Sequence, residues 1–180
     1  DEKIVLFVGS GFRTKGLDRA IRAFAALAEG SPHCRMLVLG DDKVQPFAAL
    51  AQELNVAERL QVLGGVDNVA DYLWSGDVLL HPAYRENTGT VLLEAMVAGL
   101  PVVTTDACGY AAYVRDAELG EVLPQPLNQQ HLNRALCNVL QAPAQAWHQK
   151  ARRFAENADI FSMPERAADL ILGNHTSKVE

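Results

Sequence analysis

No stretch of this sequence is long and apolar enough to span a bilayer. Its apolar runs, such as Ile4 to Val8, fall far short of the ~18 residues a span needs. That first run leads straight into a glycine-rich loop, so it does not read as a targeting segment. Cysteine is scarce: Cys34, Cys108 and Cys137 are an odd number without metal-ligand spacing. This argues against a disulfide framework or zinc site and for the reduced thiols of a cytosolic protein. Positive charge is in deficit, with 16 Lys and Arg against 22 Asp and Glu, a net −6. Broad nucleic-acid binding is therefore disfavoured. There is no internal repeat and no low-complexity linker. Asp41-Asp42 is an adjacent pair, not the Asp-x-Asp of metal-dependent transferases, and reads as a turn.

What is present suits one domain with a real core: 180 residues, 49% of them hydrophobic. The chain starts at Asp1 with a strand almost at once, which is expected of a domain belonging to a longer protein. Short apolar runs at Ile4–Val8, Arg35–Gly40, Leu60–Leu63, Asp77–His81, Val102–Thr105 and Gly120–Leu123 read as strands. Between them, periodic apolar faces predict helices beginning at Leu17 and spanning Phe47–Leu54, Val69–Trp74 and Val91–Ala98. Three more are expected at Gln129–Leu140, Ala144–Ala158 and Pro164–Leu172, before a fraying tail from Asn174 to Glu180. Continuous apolar strands alternating with helices indicate an α/β fold, a Rossmann-like parallel sheet flanked by helices on both faces. Ligands in such folds sit beyond the carboxyl ends of strands, where loops enter helices.

Two loops stand there. In Gly9–Gly16, Gly9 and Gly11 give G-x-G, but the third glycine of a dinucleotide fingerprint is replaced by Thr14, and no phosphate-loop pattern follows. Arg13 and Lys15 lie just before a helix start, where the helix dipole disfavours cations by about 0.3–1 kcal/mol each. A bound doubly charged anion would resolve that conflict. A solvated loop with two surface cations is the alternative.

In the second loop, Arg85–Gly89, Thr88 is the expected N-cap of a helix apolar on every side. The N–H groups of Gly89, Thr90 and Val91 would face outward, with Glu86 on one side. Glu94 sits about 7–8 Å along the axis at 1.5 Å per residue. Carboxylates suit vicinal hydroxyls and backbone N–H groups suit phosphate, so a sugar–diphosphate–ribose fits. The alternative is Glu94 paired with a core cation and Glu86 solvated in its turn. His81 reads first as a core or loop histidine, with support of the site as its alternative. Trp74 and Trp147 read as packing residues, and Cys108 as a bystander.

The tract Glu86-x7-Glu94, within E-N-T-G-T-V-L-L-E-A, resembles the Glu-x7-Glu motif of retaining glycosyltransferases of the two-domain GT-B fold. F-V-G-S-G-F-R-T-K-G at 7–16, H-P-A at 81–83 and A-G-L-P-V-V-T-T-D at 98–106 agree in order and spacing. Together with C-G-Y at 108–110, the tract is similar to bacterial lipopolysaccharide core glucosyltransferases, which add the first glucose to the inner-core heptose.

The resemblance implies that residues 1–180 are the C-terminal, donor-binding half, with the acceptor domain N-terminal to this chain. It implies UDP-glucose as donor, retention of configuration, no metal or other cofactor, and no turnover by this half alone. Arg13 and Lys15 would bind the diphosphate, and the N–H groups near Gly89 and Thr90 the phosphate or sugar. Glu86 would take the sugar hydroxyls and Glu94 the ribose, while Gly65 and Val66 would seat the base. Gly9 and Thr88 belong to the same donor-binding set, and Arg13, Lys15 and Glu86 to its catalytic part. Asn87 and Thr88 depart from the family's frequent Glu-Gly-x-Gly, so the sugar is less determined than the nucleotide. The implied location is cytoplasmic, with peripheral association at the inner membrane left open. A sugar-nucleotide epimerase and a non-catalytic nucleotide-binding module are the alternative functions.

Overall fold

The computed structural model describes residues 2–158, so the helix expected at Pro164–Leu172 and the tail beyond it lie outside the described residues. Six strands form one parallel sheet in the order β3-β2-β1-β4-β5-β6. They are β1 (Lys3–Val8), β2 (Cys34–Leu39), β3 (Leu60–Gly64), β4 (Val78–His81), β5 (Val102–Thr105) and β6 (Gly120–Leu123). The order reverses between β1 and β4, which makes their carboxyl ends the ligand crevice of a doubly wound sheet.

Alternation along β1 shows why both faces need cover. Val5 and Phe7 point into one core, against α1 (Leu17–Gly30), α2 (Gln45–Glu53) and α6 (Gln129–Gln141). Leu6 and Val8 point into the other, against α3 (Val69–Ser75), α4 (Thr90–Val97), α5 (Ala111–Asp116) and α7 (Ala144–Asn157). Helix α1 shows the physical cause most clearly. Leu17, Ala20, Ile21, Phe24 and Leu27 recur at helical spacing and are all buried, whereas Arg22 on the opposite side is exposed. Truncating Phe24, fully buried here, removes contacts worth about 3–5 kcal/mol.

Three expectations need correction. Helix α4 is not buried on every side: Val91, Leu92, Ala95 and Met96 are inside, but Glu94 is exposed and Val97 is 45% exposed. Its apolar surface residues carry the same hydropathy as core residues, which is why the run looked uniform. Trp74 is not a packing residue, being 70% exposed on α3. Helix α5 follows directly on the C-G-Y of 108–110, where no helix was expected; it is only six residues long and has no side-chain cap. Among the described residues no helix is long and apolar enough to cross a membrane.

Candidate functional site

The loop after β1 is wound tightly on itself. The N–H groups of Lys15, Gly16 and Leu17 donate to the carbonyls of Gly11, Arg13 and Phe12, at 3.0, 3.3 and 2.9 Å. The Leu17 N–H is thereby taken by the loop's own carbonyls, whereas the Asp18 and Arg19 N–H groups at the start of α1 make no hydrogen bond to any described residue. Asp42 adds a tie from the next strand end, accepting the Phe12 N–H at 2.7 Å. The N–H groups of Lys43 and Phe12 hold its carboxyl below the usual range. Asp41 accepts the Gly65 N–H at 2.9 Å. The Asp pair therefore fastens the ends of β1, β2 and β3 together, a role beyond the simple turn its adjacency suggested.

The loop after β4 is pinned from both sides. The Tyr84 N–H donates to the Thr14 carbonyl at 2.9 Å, joining it to the first loop. Thr105 Oγ1 donates to the Ala83 carbonyl at 2.8 Å, and the Tyr110 N–H to the Thr88 carbonyl at 2.9 Å. Glu86 forms a single bridge with Cys108. Thr88 is not the N-cap of α4. Gly89 takes that place at φ 78°, and no side chain caps the helix. A left-handed residue at this point suits glycine, and a side-chain cap requires extended backbone instead. The N–H groups of Gly89, Thr90 and Val91 consequently make no hydrogen bond to any described residue.

Lys15 and Glu86 meet where the two loops converge, Lys15 Nζ pairing with Glu86 Oε2. Gly9 makes this reach possible: a Cβ there would stand 2.9 Å from Lys15 Cε, so the lysine stem lies directly over the glycine. The Glu86 side chain is 14% exposed, and Nε2 of fully buried His81 stands 3.5 Å from its Oε2. The facing His81 ring, then the Lys15 ammonium, hold the Glu86 carboxyl down at about 2 against the cost of burial. Burial pushes the His81 pKa down, and Lys15 adds to the effect while Glu86 opposes it. Burial likewise raises the Cys108 thiol pKa, partly offset by Thr104. A protonated buried thiol is not a nucleophile.

Ser10, Thr14, Lys15, Arg85, Glu86 and Asn87 border a cleft of about 660 Å³, within the range of small-molecule sites. Arg13 lines a neighbouring hollow instead, with Asp18, Lys43 and Phe47. Thr90 and Glu94 border a third, apolar hollow between α3 and α4, with Leu73, Trp74, Leu93 and Val97. Gly65 is exposed at the end of β3, and Val66 packs partly against the core. The structure thus brings Gly9, Lys15, Glu86 and Gly89 together, and sets Arg13, the Thr90–Glu94 pair and the Gly65–Val66 loop around them. Sequence reasoning gave His81 support of the site only as its alternative reading and left the aspartate ties out of the site. Their only signal was position, at the carboxyl ends of β4 and β2.

Comparison with known proteins follows the same lines. The chain is 46% identical to lipopolysaccharide glucosyltransferase WaaG of Escherichia coli (strain K12), over 96% of its own length and 47% of that protein. It is 31% identical to D-inositol 3-phosphate glycosyltransferase of Mycobacterium avium (strain 104), over 97% of its length and 42% of the other. A crystal structure of WaaG superimposes with a TM-score of 0.89 at 44% identity, covering 96% of this chain and 47% of that one. The chain therefore spans about half the length of the curated relatives it matches. The sheet and its two helix layers are a Rossmann-like half of the GT-B fold. Residues 1–160 match the model of the glycosyl transferases group 1, the family to which this chain belongs.

Proposed function

We propose that this chain is the donor-binding domain of a retaining glucosyltransferase that moves glucose from UDP-glucose to the inner-core heptose of lipopolysaccharide. The observation that carries it is the meeting of Lys15 and Glu86 at the crevice between β1 and β4, beside unpartnered N–H groups at the start of α4. The 46% identity to a lipopolysaccharide glucosyltransferase supports the choice of sugar and acceptor.

In this reading Lys15 turns from Glu86 to the diphosphate, joined by Arg13 from the adjoining hollow and by the N–H groups of Gly89 and Thr90. Each charge-assisted hydrogen bond contributes about 1.5–3 kcal/mol. They stabilise UDP as it leaves with the electron pair of the broken C1–O bond, the task otherwise given to a metal ion. The acceptor oxygen forms the new bond to C1 and its proton passes to the departing diphosphate, which has taken the electron pair. Glu86 receives sugar hydroxyls, Glu94 the ribose, and Gly65 and Val66 the base. Gly9 clears the path of the Lys15 stem, and Thr88 anchors the loop through its carbonyl. The acceptor binds a domain N-terminal to this chain, in the cytoplasm at the face of the inner membrane. Residues 1–180 alone bind donor and do not turn it over.

Titration with UDP, UDP-glucose, UDP-N-acetylglucosamine and NAD tests this reading. UDP and UDP-glucose are expected to bind. Preference for NAD would sink the transferase assignment, and preference for the N-acetylated donor would move it to an epimerase or another transferase.

A further inference from the structure

Among the described residues, His81 is the one fully buried titratable side chain beside the cleft to which the donor chemistry above gives no task. Neither ring nitrogen has a hydrogen-bond partner of good geometry among the described residues, the Nε2 contact with Glu86 being long at 3.5 Å. A buried polar atom left in that state costs about 1–3 kcal/mol, so a fold that retains one calls for a reason. The ring is held firmly. Its strand pairs with β5 through Thr104, whose Oγ1 donates to the His81 carbonyl at 2.9 Å. Its flat face stacks on Phe7, 22° from parallel with centroids 6.1 Å apart. Held this way, Nε2 faces Glu86 Oε2 at 3.5 Å, just beyond the 2.7–3.2 Å of a good hydrogen bond.

Glu86 has a cation in Lys15. In the function proposed above, on which this inference rests, the diphosphate draws Lys15 away. A carboxylate only 14% exposed would then lose its partner at the moment it must face the sugar. We propose that His81 is a positioning residue: with its proton on Nε2 it donates to Glu86 Oε2 when Lys15 leaves, and so keeps the carboxylate aimed at the sugar hydroxyls. The movement needed is a few tenths of an ångström. The charged groups facing the ring are Glu86 and Lys15, and burial keeps the imidazole neutral. A neutral donor suits the task, because a cation there would compete with the donor for the same carboxylate.

The test uses the full-length enzyme. His81→Leu is expected to lower kcat roughly tenfold, the value of about one hydrogen bond to a charged group, with UDP affinity nearly unchanged. His81→Gln, whose terminal amide can stand where Nε2 stands, is expected to recover most of that loss. Equal losses in both variants, or a loss confined to donor KM, would overturn the proposal. Nitrogen NMR of histidine in the wild-type UDP complex gives a reading independent of folding in the variants. A proton on Nε2 supports the role, and a proton on Nδ1 refutes it. Absence of UDP binding would remove the underlying function itself, whereas UDP binding with the wrong tautomer removes only the role of His81.

Discussion

Lys15 and Glu86 stand 71 residues apart in the chain and pair through their charged ends, joining the loops that follow β1 and β4. Each holds the other in the crevice. The pair is a structural tie and, in the function proposed above, a reserve of charge for the diphosphate. Lys15→Met is expected to weaken UDP binding and slow transfer by roughly ten- to a hundredfold, from the loss of one charge-assisted hydrogen bond. Calorimetry with UDP and steady-state rates of the full-length enzyme check this, and wild-type values in both would dismiss the phosphate role.

The low pKa of Glu86 fixes the sign of a pH effect. Its carboxyl lies at about 2 in the folded protein against an ordinary 4.5. The depressed value means its contribution to stability is fully present above pH 4.5 and fades as pH falls from there toward about 2. Unfolding free energies of wild type and Glu86→Gln are expected to converge across that window as pH drops. A difference independent of pH would show that Glu86 does not ionise as described.

Glu94 has no task in the core, since it is exposed. If it receives the ribose, Glu94→Ala should weaken UDP by roughly tenfold and leave binding of the 2′,3′-dideoxy analogue nearly unchanged. Equal weakening of both ligands would remove Glu94 from the ribose site.

Gly9→Ala tests the route by which Lys15 reaches the cleft. A methyl group would stand 2.9 Å from Lys15 Cε, at a backbone φ of 121° that side chains avoid. The variant is expected to lose on the order of 1–3 kcal/mol of stability and to bind UDP as poorly as Lys15→Met. Unfolding curves and UDP titration read the two effects separately, and a wild-type UDP affinity would show that Lys15 has another path.

Much of this was legible in the chain. Strands β5 and β6 occupy the residues expected of them, because Pro101, Pro124 and Pro126 punctuate their apolar runs. Strand and helix alternation announced the parallel sheet, and loop position announced the crevice. Three features were hidden for separate reasons. Helix α5 is too short for periodicity to register. The cap at Gly89 depends on backbone handedness, which composition does not carry. The contact of His81 with Glu86 needs a chain reversal after β4 that brings a side chain back over the strand end. Hydropathy reports depth, and none of these is a matter of depth.

The sheet order separates two duties. The cationic loop and the Glu86 loop hang from β1 and β4, neighbours at the centre, whereas Gly65 and Val66 follow β3 at an edge. A change at an edge strand disturbs one neighbour, and a change at the centre disturbs two. On the assignments proposed above, phosphate chemistry is mounted centrally and the base seat peripherally, so a lineage of such domains could exchange one nucleobase for another by remodelling a margin. The machinery that expels the leaving group stays untouched.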